Sequence, residues 1–104
     1  MDYEKKLKEL NIVLPKAADP VGSYVASKIS NNILYISGQI SIDENGNLIK
    51  GKIGSELSLE QGYNAARRCA LNIVAQVKKI CKGDLSKVKT CIKLTGYVNS
   101  IDTF

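Results

Sequence analysis

Three adjacent residues, Ser37, Gly38 and Gln39, form the clearest chemical group in this sequence. We call them the Ser-Gly-Gln motif. Ser37 carries a hydroxyl and Gln39 an amide, while Gly38 has no Cβ to cover its backbone N–H. A small anion or carbonyl could bind here, because a glycine within a strand often marks a close approach of a ligand to the backbone. An ordinary β-bulge near a strand end is the alternative interpretation.

The absence of histidine limits the reactions that the chain could catalyse. It excludes Ser-His and Cys-His nucleophilic pairs, a histidine acid–base pair for RNA cleavage, and histidine-based metal sites. The three cysteines, Cys69, Cys81 and Cys91, include no pair with Cys-x-x-Cys spacing. We therefore expect no disulfide framework and no metal site, and we expect the thiols to pack as small core residues.

Length and charge indicate one domain with ordinary globular composition. The 104 residues carry 15 Lys and Arg against 10 Asp and Glu, which gives a net charge of +5. These basic residues are dispersed and form no aromatic-interleaved stripe, so a nucleic-acid partner is not expected. Residues 1–10 lack the apolar core of a signal peptide, and no apolar run reaches the roughly 18 residues of a membrane span. We expect a cytoplasmic protein without a membrane partner.

The Ser-Gly-Gln motif is predicted to follow a buried strand. The apolar run Ile33–Ile36 has the length and composition of such a strand. Residues 31–32 are both Asn and predict a hairpin turn from a strand over residues 23–30. Residues 43–46 read Asp-Glu-Asn-Gly, a strong turn signal, and we expect residues 47–50 to return as a short strand.

Residues 58–82 predict a long helix. Ser58 and Gln61 have the spacing of a capping box, and Gly83 is a natural left-handed C′ residue. One apolar stripe is predicted to pack on a sheet. Its members are Leu59, Tyr63, Ala66, Ala70, Ile73, Val77 and Ile80.

The two ends of the chain add further predicted elements. Asp2 is a plausible N-cap for a short helix over residues 2–10. Residues 87–98 alternate between apolar and polar side chains, which predicts a long strand. Residues 99–102 have the composition of a helix start, so we expect the chain to end early in a further helix. The predicted strands and long helix follow the order β-β-β-α-β.

Residues 22–24, 34–40, 43–46 and 84–89, on the two sides of the long helix, resemble the Rid family. This family is also called YjgF/YER057c/UK114, and its members are often labelled endoribonuclease L-PSP or translation inhibitor. The resemblance runs from about residue 14 to residue 104. Two further stretches, 53–58 and 65–72, resemble the branch with a longer N-terminus, and not the best-studied deaminases.

The resemblance implies an α+β fold, a chorismate-mutase-like (YjgF-type) sheet with helices packed on one face. Residues 1–104 would then be a single, incomplete domain from which the C-terminal helix and two strands are missing. It implies homotrimers with clefts for a small-molecule ligand between subunits, and no cofactor. The implied activity is a hydrolase activity, the deamination of reactive enamines and 2-imino acids such as 2-iminobutanoate and 2-iminopropanoate, which pyridoxal-phosphate enzymes release.

The resemblance carries over four ligand-binding positions, Tyr24, Ser37, Gly38 and Gln39. The catalytic residues stay unassigned, because the arginine and the acidic residue expected from the family would lie beyond Phe104. Ser23 also stands where many deaminases have proline. Two alternatives to an imine deaminase stay open: a non-catalytic trimeric small-molecule-binding protein, and the RNA-directed translation inhibitor or endoribonuclease of the family label.

Overall fold

Two helices and a two-stranded sheet make up the regular structure in this computed structural model, which describes residues 2–20 and 22–104. The α+β class predicted from the sequence is confirmed. In chain order, the elements are α1 (Tyr3–Glu9), β1 (Ser27–Ser30), β2 (Ile33–Ile36), α2 (Leu59–Ile80) and a short 3-10 helix (Leu85–Lys87).

The predicted hairpin is present, with β1 and β2 antiparallel and Ser30 opposite Ile33. Asn31 and Asn32 have φ of 50° and 63°, the left-handed conformation that a two-residue type I′ turn requires at both positions. β1 is shorter than the predicted strand over residues 23–30, because residues 22–24 form a bend instead of continuing the ladder.

The predicted turn over residues 43–46 is confirmed, and Asp43 organises it. Its Oδ1 accepts the backbone N–H groups of Asn45 at 2.9 Å and Asn47 at 2.8 Å. The return strand predicted over residues 47–50 is reduced to an isolated antiparallel bridge between Ile42 and Leu48. This turn brings the segment after the Ser-Gly-Gln motif back along α2.

The predicted starts of α1 and α2 are confirmed. Asp2 Oδ1 accepts the Lys5 N–H at 3.0 Å and caps α1. At the start of α2, Ser58 Oγ accepts the Gln61 N–H at 3.1 Å, while Gln61 Oε1 accepts the Ser58 N–H at 2.8 Å. The two bonds form the capping box that the spacing predicts.

The C-terminal end of α2 differs from the prediction by one residue. Lys82, and not Gly83, takes the left-handed C′ position next to the helix, with φ of 54°. Gly83 follows it and donates its N–H to Lys78 O at 2.8 Å, while the Lys82 N–H donates to Lys79 O at 3.1 Å. These bonds form a Schellman motif, which satisfies two of the last helical carbonyls.

The buried face of α2 is not the predicted apolar stripe. Leu59 and Tyr63, the first members of that stripe, are 49% and 66% exposed. The buried residues of the helix are Gly62, Asn72, Ala75 and Gln76. The difference arises because the neighbouring segments present backbone carbonyls, which the buried amides of α2 satisfy.

The strand predicted over residues 87–98 is absent from the described structure. Residues 89–98 make no backbone hydrogen bond to any described residue, and Ile92 and Tyr97 are 71% and 94% exposed. An alternating segment forms a strand only where a neighbouring strand accepts its hydrogen bonds, and this segment has none.

The predicted helix start over residues 99–102 is also wrong. Asn99 O accepts the Ile53 N–H at 2.9 Å, and Ile53 O accepts the Ile101 N–H at 3.0 Å. These two bonds fix the chain in an extended bridge beside Ile53. A helical turn at residues 99–101 would break them.

The cysteines occupy different environments. Cys69 and Cys81 are half-buried, as expected for residues that pack inside, but Cys91 is exposed, and for it the prediction is wrong. Cys91 lies in the unpaired segment and stays exposed. Within residues 2–20 and 22–104, no group of three potential metal ligands forms. In the same residues, no helix is long and apolar enough to cross a membrane.

Candidate ligand-binding site

The Ser-Gly-Gln motif begins one residue after β2 ends, and Ser37 anchors it to the preceding segment. The Ser37 N–H donates to Ala26 O at 3.0 Å, and Ser37 Oγ donates to the same carbonyl at 3.1 Å. The hydroxyl proton is therefore used within the hairpin. The lone pairs of Oγ can still accept a hydrogen bond from a ligand.

The side-chain amide of Gln39 forms a hydrogen bond within the motif. Its Nε2 donates to Ser37 O at 3.2 Å, and the side chain is half-buried. The backbone N–H groups of Gly38 and Gln39 donate to no acceptor among the described residues. The motif thus presents unused backbone donors next to a fixed hydroxyl oxygen.

Gly38 faces open space. An ideal Cβ built there would meet no heavy atom of the described chain within 4 Å, and the residue does not have positive φ. Neither packing nor backbone conformation within this chain therefore requires glycine at position 38. That a ligand approaches the backbone at Gly38 stays a prediction.

Tyr24 comes to the same end of the hairpin as the motif, because it precedes by two residues the Ala26 carbonyl that binds Ser37. Its side chain is 49% exposed. The ring lies over Gly22, where an added Cβ would be 3.5 Å from two ring carbons. The bonds to Ala26 thus bring Ser37 to the segment that contains Tyr24, whose ring lies over Gly22 of its own loop.

Asn72 of α2 also positions this region, and the site prediction missed it. Its Nδ2 donates to Ile40 O at 2.8 Å and to Ile42 O at 2.9 Å, and the residue is 7% exposed. The bonds hold the segment that directly follows the motif against α2. The available signal was an amide within the apolar run of residues 69–75, because a buried amide needs a partner.

Comparison with known proteins identifies the class to which this arrangement belongs. Residues 4–103 match the family described as "YjgF/chorismate mutase-like, putative endoribonuclease". The chain belongs to this family, and the predicted family and fold are confirmed.

Particular relatives agree with the family assignment. Protein TCP17 of Trypanosoma cruzi is 40% identical over 98 residues, which are 94% of this chain and 61% of that protein. A crystal structure of a protein of unknown function from Agrobacterium tumefaciens has a TM-score of 0.84 at 40% identity, covering 99% of this chain and 63% of that one. A "putative endoribonuclease" from Shewanella oneidensis has a TM-score of 0.73 at 34% identity, covering 80% and 54%. The chain therefore spans less than two thirds of each of these relatives.

Proposed function

We propose that the chain carries the ligand-binding motif of a Rid-type enamine and imine deaminase that acts on reactive 2-imino acids. The reaction is a hydrolysis, in which water adds to the C=N carbon of the imino acid and the C–N bond then breaks. The products are a 2-oxo acid and ammonia. The observation that carries the proposal is the pair of unused N–H groups at Gly38 and Gln39, beside the fixed Ser37 hydroxyl.

Each group of the motif has a role in this proposal. The N–H groups of Gly38 and Gln39 donate to the substrate carboxylate, as backbone donors do in other anion sites. Ser37 Oγ, whose proton is held by Ala26 O, accepts a hydrogen bond from the imine N–H. Gly38 leaves space for the substrate to reach the backbone. In this proposal the Tyr24 ring, which lies over Gly22 in the structure, would turn toward the bound ligand to close the cleft.

A homotrimer would complete the cleft in this proposal. The motif lies on an open surface, and two apolar residues within two positions of it are exposed, Tyr35 at 59% and Ile40 at 57%. Exposed apolar groups of this kind mark association surfaces when they are contiguous. The two arginines of the chain lie on α2 and line a different pocket, so we expect slow deamination by the 104-residue chain alone.

The test measures ammonia release from 2-iminobutanoate generated in the assay, together with binding of 2-oxobutanoate by calorimetry. Gly38→Val should abolish both signals and leave the circular dichroism spectrum unchanged. Gly96→Val is the matched control, because position 96 is equally open and also lacks positive φ. Equal loss in both variants, or no loss in either, would contradict the proposal.

Ser37→Ala tests the hydroxyl separately. It should weaken 2-oxobutanoate binding by about 1 kcal/mol, the net value of one hydrogen bond. Ser41→Ala is its control, since Ser41 lies outside the motif and its Oγ likewise donates to a backbone carbonyl, Ile49 O at 2.6 Å. Equal weakening in the two variants would remove Ser37 from the ligand site.

The same assay separates the two alternatives. Binding without ammonia release would indicate the non-catalytic small-molecule-binding protein. The net charge of +5 and the description of the Shewanella oneidensis relative keep an RNA-directed role testable. That role requires RNA binding that weakens steeply with salt, because phosphate contacts release counterions.

A further inference from the structure

A pocket that shares no residue with the Ser-Gly-Gln motif lies between α2 and the turn that Asp43 organises. Its volume is about 310 Å³. α2 supplies Asn64, Arg67, Arg68 and Leu71 to its wall, and the turn supplies apolar Leu48. Small-molecule sites have this combination of an apolar floor and a few convergent polar groups.

The guanidinium of Arg68 has unused hydrogen-bonding capacity. Within residues 2–20 and 22–104, its one ion pair joins Nη1 to Glu44 Oε1 at 3.6 Å, a distance beyond that of a good hydrogen bond. The Arg68 side chain is only 23% exposed, while the Glu44 side chain is 63% exposed. A partly desolvated guanidinium with five N–H donors favours a closer acceptor than this one.

Two neighbours on α2 extend the set of unused donors. Arg67 and Asn64 make no side-chain hydrogen bond or ion pair with any residue that the structure describes. Residues 64, 67 and 68 lie on one helical face, because residues three and four apart are neighbours on a helix. Two guanidinium groups and one amide therefore converge on the same pocket.

Asp43, the acidic residue in the pocket wall, forms no ion pair with these donors. Its carboxylate accepts three bonds from its own turn: two backbone N–H groups and Asn47 Nδ2 at 3.2 Å. The backbone N–H of Asn47 is the main cause that lowers the pKa of Asp43, although the charge of Arg68 also helps to lower it. The carboxylate thus stays charged and bound to the turn, and Glu44 at the rim is the single ion-pair partner of Arg68 in the described chain.

We propose that this pocket binds a small oxyanion, a carboxylate or phosphate group, on Arg67, Arg68 and Asn64. The oxyanion takes the place of Glu44 and forms the short, paired bonds that guanidinium groups make with such ligands. Leu48 and Leu71 accommodate a short aliphatic part of a carboxylate ligand. The site is independent of the proposed deaminase motif and shares no residue with it.

The experiment titrates the 104-residue chain with inorganic phosphate and, separately, with succinate, by calorimetry at constant ionic strength set with chloride. Arg68→Gln should weaken the affinity at least tenfold, the effect of losing a charged hydrogen-bond donor pair. Lys5→Gln is the matched control: it removes the same charge from an exposed side chain on α1 and should leave the affinity unchanged. Tighter binding of succinate than of phosphate identifies a carboxylate site, and the reverse order identifies a phosphate site.

Glu44→Gln is the more decisive variant, because the proposal predicts that it gains affinity for the oxyanion. Removing the competing carboxylate should tighten binding about two- to fivefold, as expected for loss of an exposed ion pair. The loss of phosphate affinity caused by Arg68→Gln should be the same with and without Gly38→Val, so failure of this site and failure of the deaminase proposal are distinguishable. Equal effects of Arg68→Gln and Lys5→Gln, no gain with Glu44→Gln, or no heat with either anion would each overturn the inference.

Discussion

At the residue scale, two buried amides connect α2 to segments that lack regular structure. Asn72 reaches Ile40 O and Ile42 O, and Gln76 Nε2 donates to Ala18 O at 2.7 Å while being 2% exposed. The sequence shows that both are polar residues in a helix, but it does not show their acceptors. Those acceptors are 30 to 58 residues away along the chain, so local spacing could not predict them.

Asn72→Ala should destabilise the chain by about 2 kcal/mol, because two carbonyls would lose their donor. Urea unfolding monitored by circular dichroism measures this change. Asn64→Ala is the control on the same helix, since Asn64 is exposed and its side chain makes no hydrogen bond within residues 2–20 and 22–104. It should change stability by less than about 0.5 kcal/mol. Equal urea midpoints for the two variants would contradict the role of Asn72.

The Asp43 carboxylate makes stability depend on pH in the acid range. Hydrogen bonding, mainly from the Asn47 N–H, lowers its pKa below the ordinary value of 3.8. Its contribution to stability is therefore complete above about pH 3.8, the ordinary pKa, and is lost as the pH falls through the lower pKa of the folded state. Asp43→Asn should flatten the acid limb of stability against pH, measured as urea midpoints. An unchanged acid limb would show that the turn does not depend on this charge.

The thiols should react at different rates. Burial raises the pKa of Cys69, which reduces its reactive thiolate, whereas Cys91 is exposed in the unpaired segment. Titration of the native protein with a disulfide reagent should therefore show one fast phase. Cys91→Ser should remove that phase, and Cys69→Ser should leave it intact. A fast phase that survives Cys91→Ser would contradict the exposed placement of Cys91.

At the element scale, helix ends were easier to predict from the sequence than helix faces. Ser58 and Gln61 bind each other across three residues, so the capping box is contained in the local sequence. The buried face depends on which segments pack against α2, and periodicity does not contain that information. The same reason explains residues 87–98, since alternation predicts a strand only where hydrogen-bonding neighbours exist.

Ser58→Ala should lower the stability of the chain by about 1 kcal/mol, because α2 would lose its N-cap. For a domain of this size, that corresponds to a fall in Tm of roughly 4–8 °C. Ser58→Gly is the graded control, with an expected loss of only a few tenths of a kcal/mol. Thermal melts of the three proteins would show this order. A loss with glycine as large as that with alanine would count against the capping role.

The candidate site could be predicted only in part. Ser37, Gly38 and Gln39 are adjacent in the sequence, and the hairpin carries them together with Tyr24 to one end. The role of Asn72 and the pocket that contains the arginines depend on how α2 packs against distant segments. Those parts of the site follow from tertiary contacts, which residue spacing does not specify.

At the scale of the whole molecule, the chain buries few large side chains. Among the described residues, Ala75 and Leu85 are each 4% exposed and Pro15 is also buried, while many larger apolar residues are exposed. This distribution predicts concentration-dependent self-association, in keeping with the proposed homotrimer. Sedimentation velocity over a hundredfold range of concentration checks it. A monomer at every concentration would contradict both the association and the trimer.

The two backbone hydrogen bonds at Ile53 hold the C-terminal end of the unpaired segment. Asn99 and Ile101 are fixed to Ile53, and Leu85 is buried at the other end, so residues 89–98 form a loop anchored on both sides. Lengthening such a loop costs little, since each doubling adds only about 0.6 kcal/mol of closure entropy. A peptide tag inserted between Lys93 and Leu94 should therefore be tolerated by the fold of the single chain. If the tagged chain folds but no longer associates, this segment serves assembly rather than folding.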